Sequence, residues 1–396
     1  MQLSERVQHI AASQSLAMAA KAKQMQADGI DVISMSLGEP DMPTPEHIRR
    51  AAQQAVEDNW SHYGPVPGIP SLREAIAKSQ VSLLQSQIAY SGDDVLVSIG
   101  AKMAIFNAIQ TVVNPGDEVI IPMPAWVSYS EMIKLAEGIV VPVQTDFENN
   151  YILTPQQLRA AITPRTRMLI LCSPNNPTGS VYSQEHLAAL VEVLRDFPDV
   201  VLLSDEVYNC LVYEADAPSL SAFPELADRL IVVNAVSKSY AMTGYRVGWL
   251  LSKNKAFISA CTRLQGQQLT CATMIAQKAA EAALMGSQDC VREMLHTFAE
   301  RRQLICRLTA EIPGFKFHEP QGAFYLFPDV SAIGSGDEVA QLLLEQAHVA
   351  VVSGAAFGCP TCIRLSYAIS TEEITEAMRR IKRAIDSRIR DTHTDI

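Results

Sequence analysis

Seven short stretches, each almost wholly apolar and rich in β-branched residues, recur through the middle of the chain. They are Val95–Ile99, Glu118–Ile121, Ile139–Val143, Met168–Cys172, Val200–Leu203, Leu230–Val233 and Val247–Leu251. Strands without polar alternation are those covered on both faces. Helical patterns separate several of them. Lys102–Val113 sets Ile105, Phe106, Ile109 and Val113 on one stripe, and Glu185–Arg195 does the same with Leu187, Leu190, Val191 and Leu194. This alternation predicts an α/β fold of three layers, helices flanking a mostly parallel seven-stranded sheet.

The flanks read differently. Thr44-Pro45 reads as an N-cap followed by proline at the first helical position, opening a helix to about Asn59. Helical patterns at about Asp289–Glu311 and Gly336–Ala347 flank short strands near Phe324–Phe327, Val349–Val352 and Ile363–Ser366, and a last helix runs from Thr371 to about Arg388. The expected organisation is a large domain over 46–288 and a smaller α+β domain over 289–396, which the N-terminal segment 1–45 joins.

At 396 residues and 48% hydrophobic, the chain can bury a sizeable core in two or three domains. Its 32 basic and 43 acidic residues leave a net charge of −11, which argues against nucleic acid or an anionic membrane as the main partner. One local cluster of donors can still hold a small anion. No apolar run approaches the ~18–20 residues that cross a bilayer, and Met1-Gln2-Leu3-Ser4-Glu5-Arg6 turns polar at once. Eight cysteines are scattered as core or loop thiols. A soluble cytoplasmic protein is the expectation.

Three segments carry chemistry, all at strand ends, where open α/β sheets gather ligands. Ser98-Ile99-Gly100-Ala101-Lys102 runs from strand to helix through small residues, as an anion site at a helix N-terminus requires. Taken alone, the structural reading of such a turn stands ahead. Asp205, in Leu202-Leu203-Ser204-Asp205-Glu206, ends an apolar strand, where a carboxylate needs a partner. A cationic heterocyclic nitrogen would serve, and so would the capping of a following helix. Lys238 follows the apolar run Leu230–Val236 among small polar residues, a setting that lowers an amine's pKa and makes it a nucleophile or base. The alternative is a surface lysine. Arg246, entering the next apolar stretch, needs an anion or a structural partner. A Schiff-base lysine, an acid for a pyridinium nitrogen and donors for a phosphate together suit pyridoxal phosphate.

At this point the chain resembles the class I aminotransferases. Lys238 through Gly248 is similar to their cofactor-lysine signature, and Ser173-Pro174-Asn175-Asn176-Pro177-Thr178-Gly179 to their asparagine loop. Leu37-Gly38-Glu39-Pro40-Asp41, Tyr63-Gly64-Pro65, Gly322-Ala323-Phe324-Tyr325 and Arg364-Leu365-Ser366-Tyr367 match further landmarks, in family order from about residue 5 to 385. The bacterial aspartate/prephenate subgroup is the nearest in pattern. The resemblance implies the fold of pyridoxal-phosphate-dependent transferases. It implies that Lys238 forms the Schiff base and then shuttles the substrate's Cα proton, that Asp205 pairs with the pyridinium nitrogen, and that Asn176 and Tyr208 donate to the ring hydroxyl. Trp126 would stack on the ring. The phosphate would be held by the N–H groups of Ala101 and Lys102, the Ser237 hydroxyl and Arg246. Tyr63 would reach the phosphate of a neighbouring subunit, making a homodimer with shared sites. Arg364 would take the substrate α-carboxylate as a bidentate pair, with Gly38 and Asn176 completing that subsite. The Lys102 side chain and Ser15 would lie near a distal carboxylate.

The pattern also has departures. Ala235 stands where the family usually has Ser or Gly, removing one donor near the phosphate. A proline common after Gln265-Gly266-Gln267-Gln268 is missing. Cys359-Pro360-Thr361-Cys362 has the CxxC spacing, but no second pair completes a zinc set, so no metal is expected. Two incidental thiols explain it, or oxidation there displaces Arg364. The implied activity is ping-pong transfer of an amino group between L-aspartate, or a similar dicarboxylic amino acid, and 2-oxoglutarate. Aromatic, alanine or prephenate transamination is the alternative. A non-catalytic cofactor-binding regulator is a third reading, disfavoured because both Lys238 and Arg364 are present and no basic segment is spare.

Overall fold

The computed structural model describes residues 1–11, 14–84, 86–214 and 217–394, with the side chains of 14–15, 82–84 and 391–394 excepted. The seven apolar stretches form one sheet: β1 (Val95–Ser98), β2 (Glu118–Met123), β3 (Ile139–Gln144), β4 (Thr166–Cys172), β5 (Val201–Asp205), β6 (Leu230–Ala235) and β7 (Gly248–Leu251). Their order in space is β1-β7-β6-β5-β4-β2-β3. Neighbours from β6 to β3 pair in parallel, whereas β7 runs against both β6 and β1. Alternate residues of one strand therefore serve two cores. Leu202 of β5 and Val232 of β6 pack with Leu72, Ile76, Leu187 and Leu190 on one face. Leu203 and Val233 pack with Ile105, Ile109, Tyr129 and Ile133 on the other.

The expectation of two covered faces fails for β3. It is one of the two edge strands, and its residues are exposed or only half-buried. Thr44 also departs from its expected role. The helix runs over Glu46–Glu57 with Pro45 at the cap position and no side-chain cap. The Thr44 hydroxyl donates instead to the Ala241 carbonyl at 2.6 Å, tying this entry to the loop after Lys238.

In the C-terminal part, helices Asp289–Ala310 and Thr371–Thr394 lie against the antiparallel strands Val352–Ser353, Ile363–Ser366 and Tyr325–Leu326. Phe298, Phe324, Leu326, Ile363, Leu365, Ile374 and Ile381 make their shared core. Two boundaries differ from expectation. The helix Gly336–Leu342 ends in a wider turn over Leu343–Ala347, and the following extended stretch splits into Val349–Ala350 and Val352–Ser353 because each half pairs with a different neighbour. The N-terminal segment belongs to this core by contact: Ile33–Ser34 pairs in parallel with Val349–Ala350, and Ile33 and Met35 are buried in it. Among the described residues, no helix is long and apolar enough to cross a membrane.

The end of the β1–β7 pair farthest from Gly100 is fastened by Asp94. Its buried carboxylate accepts from Lys255 Nζ at 2.7 Å, Lys253 Nζ at 2.9 Å and the Ser91 N–H at 2.8 Å. Burial alone would raise its pKa, but these donors outweigh it and hold the group at about 2 against an ordinary 3.8. A depressed carboxylate stabilises the fold above its unfolded pKa and loses that contribution as pH falls through the folded value. Asp94→Asn is therefore expected to lower the unfolding free energy by about 2 kcal/mol at neutral pH. In urea titrations the gap to the parent chain should close as pH falls from 3.8 towards about 2.

Candidate active site

The carboxyl ends of β1, β4, β5 and β6 open onto one cavity of about 380 Å³, closed by Ser36–Glu39 from the N-terminal segment and by Tyr325 and Arg364 from the C-terminal strands. Residues scattered from Leu16 to Arg364 thus meet in the crevice between the two cores.

Lys238 lies in a four-residue helix, Val236–Ser239, directly after β6. Its ammonium donates to the Gly38 carbonyl at 2.5 Å. Burial pushes its pKa down to about 8; Arg246 and Arg364 push the same way, while Glu39 and Asp205 oppose them. About a tenth of the amine is therefore neutral at pH 7, far more than for an ordinary lysine, as a nucleophile requires.

Asp205 is the last residue of β5 and lines the cavity, whereas the next residue, Glu206, accepts from the buried hydroxyls of Ser204 and Ser219. The Asp205 carboxylate accepts from Tyr129 Oη at 2.5 Å and from the Val207 N–H at 3.3 Å. Burial raises its pKa to about 6, against the pull of Tyr129, Val207 and Lys238. Most of it is ionised at neutral pH, so it suits a cationic ligand atom.

The turn after β1 forms a close cradle. Gly100 sits at φ +88°, and a Cβ there would come 2.6 Å from Arg246 Nη2; a Cβ at Gly248 would lie 2.3 Å from the Ala101 nitrogen. The helix Ala101–Val112 begins here, with the N–H groups of Met103 and Ala104 turned back to the Gly100 carbonyl. Those of Ala101 and Lys102 precede any helical acceptor and are free for an anion. Ser237 lines the same cavity. Arg246 stands two residues before β7, at the entry to the strand, in a left-handed conformation (φ +56°) that Thr243 O steadies by accepting from Nη1 at 2.8 Å. Among the described residues it has no ion-pair partner. The Lys102 ammonium lies 4.9 Å from the centre of the Trp126 ring, inside the cavity wall, with its pKa lowered by burial and by Arg246.

Arg364, in the strand Ile363–Ser366, is 3% exposed. Nη1 donates to Asn176 Oδ1 at 2.9 Å and Nη2 to the Ser36 carbonyl at 2.7 Å. The guanidinium is 4.5 Å from the Tyr325 ring centre and 5.0 Å from that of Phe357. Its Nε has no hydrogen-bond partner, and among the described residues no carboxylate pairs with it. Asn176 is oriented by its neighbour: Asn175 Nδ2 donates to the Pro124 carbonyl at 3.1 Å and to Thr178 Oγ1 at 3.0 Å. Tyr208 and Tyr325 share a hydroxyl contact at 2.8 Å. Gly38 is small for a reason, since a Cβ there would lie 2.2 Å from Tyr325 Oη.

Of the residues singled out in the sequence, Gly38, Ala101, Lys102, Trp126, Asn176, Asp205, Tyr208, Ser237, Lys238, Arg246 and Arg364 line this one cavity. Tyr63 does not; it is 89% exposed on the surface. The Ser15 side chain lies outside the described residues. Reading the sequence assigned no role to Tyr129, Tyr325, the Ser36 carbonyl or Asn175. Tyr129 lies three residues after Trp126, which precedes the helix Ser128–Leu135, and the two rings meet edge-on at 5.3 Å. A main-chain carbonyl leaves no signal in the sequence.

A depressed amine, a buried carboxylate, an anion cradle and an unpaired guanidinium facing one cavity define an enzyme for small charged amines and acids. The family model for class I and II aminotransferases matches residues 30–381. An aspartate aminotransferase of Bacillus sp. (strain YM-2) is 41% identical over 97% of this chain and 99% of its own length. An aspartate/prephenate aminotransferase of Nitrosomonas europaea is 41% identical over 96% and 99%. The crystal structure of the aspartate aminotransferase from Rhizobium meliloti superposes with a TM-score of 0.94 at 38% identity, covering 98% of this chain and 99% of that one. The Thermus thermophilus aspartate aminotransferase with maleate gives 0.92 at 38% identity, covering 97% and 100%. The chain belongs to the class I and II aminotransferases, and it is a transaminase.

Removing the Tyr129 hydroxyl takes from Asp205 its strongest donor. In Tyr129→Phe the Asp205 carboxyl is expected to titrate above its present value of about 6. Carbon-13 NMR of the labelled carboxyl in the cofactor-free protein measures that shift.

Proposed function

We propose that this transaminase uses pyridoxal phosphate to move an amino group between L-aspartate, or a similar dicarboxylic amino acid, and 2-oxoglutarate in a ping-pong cycle. The observation that carries the reading is Arg364, a buried guanidinium without a counter-charge, in the same cavity as the depressed amine of Lys238. The names of the relatives support the choice of aspartate.

The residues present fit the cofactor. The Gly100–Gly248 pinch leaves room for an anion where a side chain would fill it, beside the N–H groups of Ala101 and Lys102, the Ser237 hydroxyl and Arg246. Asp205 would hold the charge of the ring nitrogen, Asn176 and Tyr208 would donate to the ring hydroxyl, and Trp126 would lie against the ring. When bound, pyridoxal phosphate supplies an aldehyde for the amine and a ring that accepts electron density from the substrate's Cα.

The chain's own groups then divide the work. Arg364 takes the α-carboxylate, its planar fork matched to two oxygens. This orients the substrate's Cα–H towards Lys238, whose amine, its pKa lowered to about 8, removes that proton and returns it elsewhere. Tyr325 and Phe357 shield the Arg364 charge from water, which strengthens its grip on the carboxylate. Lys102, whose ammonium lies over Trp126 in the same cavity, would take the distal carboxylate.

Segment 1–45 with 289–396 would act as the small domain and 46–288 as the large one, as two chains of a cytoplasmic homodimer in which the partner's Tyr63 completes the phosphate site. A second acceptor, prephenate, is favoured by the relatives named for it.

The purified protein loaded with cofactor is expected to change its visible absorption band on adding aspartate and to recover it on adding 2-oxoglutarate. Borohydride should fix the cofactor to the peptide holding Lys238, and Lys238→Ala should lose both responses. Trapping on any other peptide would overturn the assignment. For the distal subsite, Lys102→Ala should raise KM for aspartate by about tenfold, the effect of roughly 1.4 kcal/mol, and leave that for alanine nearly unchanged. Equal changes for both amino acids would remove Lys102 from substrate selection.

A further inference from the structure

The CxxC turn is a built dithiol at the back of the Arg364 subsite. Cys359 and Cys362 are both free, and their sulfurs already touch at 3.4 Å. Cys359 is half-buried and reachable from solvent, whereas Cys362 is fully buried beside Tyr151, Phe327, Val352 and Phe357, with Tyr151 Oη 3.4 Å from its sulfur. This asymmetry is that of an attacking and a resolving thiol. Hydrogen bonding with Cys362 pulls the Cys359 thiol below its ordinary range, which favours its thiolate.

The turn is short of slack and leads straight to the substrate arginine. Cys362 immediately precedes the strand Ile363–Ser366, in which Arg364 is the second residue. Its carbonyl accepts from the Gly354 N–H at 2.7 Å, and the Gly354 carbonyl accepts from the Cys359 N–H at 2.9 Å. Gly354 is wedged between them: a Cβ there would meet the Cys359 oxygen at 2.2 Å. It opens the turn Gly354–Phe357, whose Phe357 ring lies 5.0 Å from the Arg364 guanidinium. The Phe357 carbonyl accepts from the Ala125 N–H at 3.1 Å, next to Trp126. A disulfide needs its sulfurs at about 2.0 Å, and these hydrogen bonds link the two cysteines that must approach to both the strand start and this turn.

We propose that Cys359 and Cys362 are a reversible disulfide switch which, when oxidised, moves Phe357 and Arg364 and weakens the hold on the substrate carboxylate. This rests on the assignment of Arg364 made above. The oxidant is a small disulfide such as oxidised glutathione. The Cys359 thiolate attacks one of its sulfurs, forming a mixed disulfide and releasing one glutathione thiolate. Cys362, giving its proton to that leaving group or to water, attacks the Cys359 sulfur and expels the second glutathione. Two protein thiols are oxidised to one disulfide, and one disulfide is reduced to two thiols.

The test treats the cofactor-loaded protein with oxidised glutathione and follows intact mass, disulfide-linked peptides and steady-state constants. The mass should fall by two hydrogens, with the bridge mapped between Cys359 and Cys362. KM for aspartate should rise several-fold with kcat changed far less, and dithiothreitol should restore it. Cys359→Ser should keep the reduced enzyme's constants and be insensitive to oxidant. Absence of that bridge, a persistent glutathione adduct in its place, a bridge with KM unchanged, or the same KM rise in Cys359→Ser would each overturn the switch. The bridge is read by mass whatever the substrate, whereas a reduced enzyme that never turns over aspartate would fault the substrate assignment instead.

Discussion

A buried guanidinium with no acid beside it is costly, and much of the site is arranged around that cost. Arg364 is held by one amide oxygen, one main-chain carbonyl and the faces of two aromatic rings, which position it without neutralising its charge and leave Nε without an acceptor. Desolvation of a lone charge is repaid in full only by a paired and hydrogen-bonded opposite charge. The free structure therefore stores a preference for carboxylate ligands. Each contact comes from a different part of the chain: Asn176 from the loop after β4, Ser36 from the N-terminal segment, Tyr325 and Phe357 from the C-terminal region. The arginine can be seated only when both cores are formed.

The same logic explains the opposite charge at the other wall. Asp205, itself buried, sits at the end of a strand after three buried residues, so its ionisation depends on the Tyr129 hydroxyl and the Val207 N–H. Lys238 lies between these poles. Its amine is lowered by burial and by the two arginines and held back by Glu39 and Asp205, so its proton affinity is set by the whole cavity rather than by one neighbour.

Much of this fold was legible because parallel strands covered on both faces must be apolar at nearly every position, and all seven were found within a few residues of their true ends. The outlying strand β3 misled because its apolar residues are no less β-branched than those inside; β1 also has a single neighbour but is buried, and only the folded chain shows which edge is covered. Thr44 misled because a hydroxyl before a proline can serve a local cap or a distant carbonyl equally well, and tertiary contact with Ala241 won. The site was legible where chemistry is unusual for its setting, as for Lys238 and Asp205, and where a family pattern could be matched, as for Arg364. Ser36 and Tyr325 were hidden because proximity to Arg364 is a property of the folded chain. No spacing in the sequence encodes it.

The two rims of the main sheet are finished differently. Along β1, the loop at Pro65–Gly68 lies against the strand, with the Val97 N–H donating to the Pro67 carbonyl at 3.0 Å and Gly68 pressed on the Val97 side chain. Along β3, which faces solvent, Pro142 breaks the row of main-chain donors. Unpaired edges are templates on which a second chain can extend the ladder, and covering loops and imino acids are ways to deny it. Having a stop at either rim, the folded chain keeps its sheet shielded from fibril-like growth.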